Sequence, residues 1–173
     1  YAPIEDDTGI SPGVIRFKAE CKVLKKMIAL WDEGIGRMKE VIARIPERKR
    51  PEATRMLGIA QFTRNTLQTI LHVKDWWLTN VRLLSEDDPE KVFALLDKLT
   101  EIIELEKVNV RDTIPLVEAD SRLGWEPTMG YMADKAHLLW KIKQLENLQA
   151  YDLNVYRKMF QNYTPGAVST TQE

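Results

Sequence analysis

The chain has 173 residues and a mass of 20.0 kDa, one domain's worth of sequence and enough to bury a core without disulfide or metal staples. Its 25 basic and 26 acidic residues leave a net charge of −1, which excludes the positive excess that a nucleic-acid backbone or an anionic membrane surface demands. No stretch approaches about eighteen uninterrupted apolar residues, so nothing reads as a membrane span.

The first element opens at Ser11-Pro12, an N-cap followed by a first-turn proline. Val14, Phe17, Cys21, Leu24, Ile28, Trp31, Ile35, Met38, Ile42 and Ile45 then alternate at spacings of three and four. That is the rhythm of one long helix with a narrow apolar seam, stopped by Pro46. The single cysteine, Cys21, lies on this seam; it can form no internal disulfide and reads as a small buried hydrophobe. The chain starts at Tyr1 with no methionine and no charged-then-apolar leader, which raises the expectation of an excised domain or a processed product. Residues 1–10 and 164–173 read as linker and tail around a helical bundle spanning 11–163.

After the basic turn Glu47-Arg48-Lys49-Arg50, a second helix is predicted from about Pro51 to Leu84. Its seam runs through Met56, Ala60, Leu67, Ile70, Trp77, Val81 and Leu84, interrupted by Thr63 and Lys74. Ser85-Glu86-Asp87-Asp88-Pro89 is another cap followed by proline. It opens a third helix with Val92, Leu96, Leu99, Ile103 and Val110 on its seam, carried to Thr113 and ended or kinked by Pro115. The fourth begins between Tyr131 and Asp134, carries Leu138, Ile142, Leu145, Tyr156 and Met159, and closes at Pro165-Gly166.

The predicted fold is therefore all-α, an elongated up-down-up-down bundle of four long helices with a long loop between helices three and four. Two short connections force antiparallel neighbours, and a period near 3.5 implies a left-handed twist. Topology then puts the first and third connections at one end. The basic turn is expected to face and neutralise the segment 116–130, which carries Glu118, Asp120 and Glu126.

That third connection, Pro115 to Gly130, is longer than bundle connections usually are. Its carboxylates, Arg122 and the ring of Trp125 suit a polar ligand with a flat apolar face, such as a sugar, or a partner surface. Alternatively Leu116, Val117, Leu123 and Trp125 plug the open end of the core. In helix four, His137, Trp140, Gln144, Asn147 and Tyr151 form a polar-aromatic stripe away from the seam. The loop is expected to fold back over Trp140, or the stripe itself docks a partner. Glu118, Asp120, Arg122, Trp125, Glu126, His137 and Trp140 are the candidate ligand or interface residues.

Catalytic and metal readings find less support. There are two histidines, His72 and His137, and their places on parallel helices separate them axially by roughly 20 Å. No metal centre and no cofactor are expected, and a haem-attachment motif, a glycine-rich phosphate loop and a nucleophile elbow are all missing from the sequence. Glu106 and Asp152 fall at seam positions, where they form an acid pair, are satisfied by Lys74, Asn109 or Arg157, or are shifted outward by frayed registry.

The run Thr113 to Met132, TIPLVEADSRLGWEPTMGYM, together with Glu5-Asp6-Asp7-Thr8-Gly9-Ile10 and Ile15-Arg16-Phe17-Lys18, resembles the C-terminal helical region of large bacterial glycan-degradation proteins, some of them hexosaminidase-like glycoside hydrolases. The resemblance spans much of the chain but rests on one distinctive loop. It implies an extracytoplasmic protein whose catalytic carboxylates belong to a barrel domain upstream of Tyr1. Here it carries over only Glu118, Asp120, Ser121, Arg122, Gly124, Trp125 and Glu126 as the family's recognisable loop.

Two functions of different class stay open on the sequence. One is a non-catalytic accessory or interaction domain that packs on an upstream domain of the same chain or on a protein partner. The other is a carbohydrate-binding module using the 116–130 loop, alone or as the lining of an active site completed by another domain.

Overall fold

A computed structural model describes residues 11–126 and 131–162. The fold is all-α, with helices α1 (Pro12–Arg44), α2 (Arg50–Ser85), α3 (Pro89–Ala119) and α4 (Lys135–Asn147) running up, down, up and down. A π turn, Leu148–Leu153, leads from α4 into α5 (Asn154–Gln161). Caps follow the sequence: the Ser11 hydroxyl accepts from the Val14 amide, and the Asp88 and Asp134 carboxylates accept from Glu90 and His137.

Extensive packing is confined to consecutive helices. One face of α2 meets α1, with Leu67, Leu71 and Leu78 against Cys21, Leu24 and Ile28. Its opposite face meets α3. That makes α3 the central helix, lying between α2 and the α4–α5 arm, and the five largest fully buried side chains, Leu96, Leu99, Ile103, Val92 and Val110, all belong to it. Lys74, a break in the α2 seam, is accommodated at the α1 junction: its ammonium sits 2.6 Å from Glu20 and 4.0 Å above the Phe17 ring, which packs edge-on against Trp77.

Three expectations are corrected. Pro115 does not end α3, which continues to Ala119. The proline forfeits one amide bond, but Ile114 and Val117 pack with Val110 and Leu138 and hold the last turn, where the Asp120 amide reaches the Leu116 carbonyl at 3.1 Å. The connection to α4 is accordingly shorter than 115–130 suggested, and it holds two short strands. Strands β1 (Trp125–Glu126) and β2 (Tyr131–Met132) pair antiparallel, with Trp125 opposite Met132.

The fourth helix is also not continuous. The π turn inserts the equivalent of one residue, rotating everything beyond it by about 100°. Leu153 and Phe160 thereby take the places against Leu96 and Leu99 that the seam assigned to Tyr156 and Met159. Met159 is 63% exposed instead, and Asp152, placed by spacing on the seam, is exposed as well.

Candidate functional site

The loop between α3 and α4 is anchored at both ends. Leu123 is half-buried and Ala133 buried in the cluster of Val110, Val117, Leu138 and Ile142. The Ala133 amide donates to the Gly124 carbonyl at 2.8 Å. Gly124 has φ +72°, and a Cβ there would stand 2.8 Å from the Ala133 Cβ, so both backbone conformation and space demand glycine. Gly124→Ala is expected to loosen the hairpin by about 1–3 kcal/mol. Hydrogen exchange at the Ala133 amide should then run roughly ten- to a hundredfold faster.

On this frame the charges pair among themselves. Arg122 donates twice to Asp120, at 2.8 and 2.7 Å, and its backbone amide donates to the same carboxylate at 3.1 Å. Those Arg122 bonds, side chain first and then backbone, with the charges of Arg122 and Arg55, hold Asp120 down to about 2. Lys135 pairs with Glu118 at 2.6 Å, and the exposed His137 ring with Asp134 at 2.9 Å. Glu126 belongs to β1, and its side chain falls outside the described atoms. The basic turn faces this end, but Arg122 and Asp120 exchange their electrostatic influence with Glu52 and Arg55 on the first turn of α2. Among the described residues no salt bridge involves Arg48, Lys49 or Arg50.

The aromatic residues stay outside this frame. Trp125 is 63% exposed and Trp140 is 61% exposed, with Met132, Trp125's partner across the hairpin, also exposed. The plug expectation therefore divides: Val117 and, in part, Leu123 close the bundle end, while Trp125 does not. Nor does the loop cover Trp140. What the described residues of this end present chemically is the exposed indole of Trp125 and the Met132 side chain across from it, beside the paired charges Arg122–Asp120 and Lys135–Glu118.

A second polar constellation is buried between α2 and α3, where spacing had flagged Glu106 alone. The Glu106 carboxylate, in a residue 5% exposed, accepts from Thr69 Oγ1 at 2.7 Å and Lys141 Nζ at 2.5 Å, with His72 Nδ1 at 2.5 Å. Gln68 Nε2 lies 2.7 Å from His72 Nε2, so both ring nitrogens have a partner within the fold. Burial pushes the Glu106 carboxyl up, but the His72 bond, the Lys141 charge and the Lys141 and Thr69 bonds outweigh it and hold it below its ordinary value. The ladder continues through Asn109, which donates to Thr69 Oγ1 and to the Asn65 carbonyl, and through Asn65, which donates to Thr113.

The partners proposed for Glu106 are corrected accordingly. Lys74 serves Glu20, Arg157 pairs with Asp97, and Asn109 serves Thr69. His72, Glu106 and Lys141 border a cleft of about 220 Å³ whose other walls, Trp76, Ile102 and Leu145 among them, are apolar. Because each donor to Glu106 comes from within the fold, the ladder fixes the axial register of α2, α3 and α4. Its signal in the sequence was a polar stripe on each helix, Asn65-Thr69-His72 and Glu106-Asn109-Thr113, both spaced by threes and fours. No protein-family model, no curated protein and no solved structure matches the chain.

Proposed function

We propose that the chain is a non-catalytic helical interaction domain belonging to a larger bacterial carbohydrate-active protein, and that the exposed Trp125–Met132 face of the hairpin is its docking point. The observation that supports this reading is the exposure of Trp125 on an anchored hairpin flanked by the paired charges Arg122–Asp120 and Lys135–Glu118. A large ring held out in water at low conformational cost is the usual anchor of a protein interface. The surrounding pairs hold the backbone and leave specificity to that exposed face. The occupant is an upstream domain of the same polypeptide or a separate protein.

A carbohydrate is the alternative occupant, favoured by the same exposed indole, a few residues after Glu118 and Asp120 in the chain, since a sugar stacks its apolar face on a ring and offers hydroxyls to carboxylates. Two experiments test the reading. The coding sequence should continue for several hundred codons upstream of Tyr1 with a barrel pattern; a start codon a few residues before Tyr1 would overturn the parent-protein half. Titrating the labelled chain with chito-oligosaccharides and, separately, with that upstream region should shift Trp125 and Met132 resonances in only one case. Shifts with the sugars alone would replace the accessory reading by the carbohydrate one.

A further inference from the structure

A second apolar stripe runs along α1, away from its seam with α2. Val23, Met27, Leu30 and Val41 occupy it, with Gly34 at the intervening position, so the spacings are four, three, four and seven, a heptad pattern. Val23, Leu30 and Val41 are each more than half exposed, and Met27 is 40% exposed. The opposite flank of the α1–α2 junction is polar and is marked by the Arg64–Asp32 pair at 2.9 Å. Because extensive packing is confined to consecutive helices, no described helix lies over this side of α1.

We propose that a second copy of this chain covers the stripe, α1 lying antiparallel on α1 about a two-fold axis. This surface is separate from the hairpin and does not depend on it. Two features point to self-pairing. The first is charge. In the register that sets Met27 against the partner's Leu30 and Val23 against the partner's Gly34, the flanking positions set Lys26 against the partner's Glu33, and two-fold symmetry makes each pair twice.

The second feature is Gly34. Glycine in a helix interior is destabilising, yet a Cβ at Gly34 would meet nothing within 4 Å inside the protomer, so the protomer's own packing gives no reason for it. In the proposed register it faces the partner's Val23, where a missing side chain lets the two helices approach. A short helical dimer seam of this kind buries Met27 and Leu30 at its centre, the place where interface residues contribute most.

Sedimentation equilibrium of the chain from micromolar to about 0.5 mM tests the proposal. The expected result is a reversible monomer–dimer equilibrium. Leu30→Glu and Gly34→Leu should each weaken it at least tenfold while leaving the far-ultraviolet circular dichroism unchanged, because both positions face solvent in the protomer. Lys26→Glu should weaken it too, and the double variant Lys26→Glu with Glu33→Lys should recover most of the loss. A single-chain mass at every concentration would overturn the proposal and leave the stripe to a helix of a different protein. A dimer indifferent to Leu30→Glu and Gly34→Leu, or a charge swap without recovery, would overturn it as well.

Discussion

Glu106→Ala is expected to destabilise the protein by about 3–5 kcal/mol, because it removes the acceptor shared by three buried or half-buried donors and strands them. Equilibrium urea denaturation measures it directly; a loss under about 1 kcal/mol would mean that water already serves these groups. The same carboxylate gives the protein an acid limb. Its native value lies below the ordinary 4.5, so it adds stability that is fully present above that ordinary value and is lost as pH falls through the lower native one. Glu106→Gln should accordingly flatten the decline in stability below about pH 4.5, and a decline as steep as the parent's would assign it to other carboxylates.

Leu96→Ala should rank beside it, at about 2–5 kcal/mol. Leu96 is fully buried on the central helix, and the arms on either side cannot both close over the space it would leave. Val73→Ala, at a position 62% exposed on α2, should stay within about half a kcal/mol in the same denaturation series. Equal losses at the two sites would contradict the assignment of α3 as the core helix.

The long helices were legible because their signals are local. A three-four seam, a capping serine or aspartate and a following proline each act within a few residues, and α1, α2 and the start of α3 lie where those residues put them. Legibility failed where tertiary contact decides. Pro115 carries a strong local signal, but the burial of Val117 in the next turn outweighs it. The π turn inserts a residue with no marker in its composition, so the pattern read correctly through Leu145 points Tyr156 inward when it faces out, while Asp152 takes the outward place that frayed registry allowed it.

The two sites fail in different ways. Glu106 was visible as a carboxylate on a seam, yet its partners depend on how far antiparallel helices slide past each other, which spacing within one helix does not contain. Asp120 and Arg122, two residues apart, were within reach of a local reading, and they do pair. Trp125 was legible as unusual but not as exposed, because a large apolar ring in a loop serves equally as plug or as platform until Gly124 and Ala133 fix which way the hairpin leans.

The measurement that bears most directly on the docking reading is the affinity of Trp125→Ala for the upstream region of its own polypeptide, taken with its urea melt. The account expects stability within about half a kcal/mol of the parent and affinity at least tenfold weaker. A stability loss of about 3 kcal/mol, or unchanged affinity at unchanged stability, would contradict it.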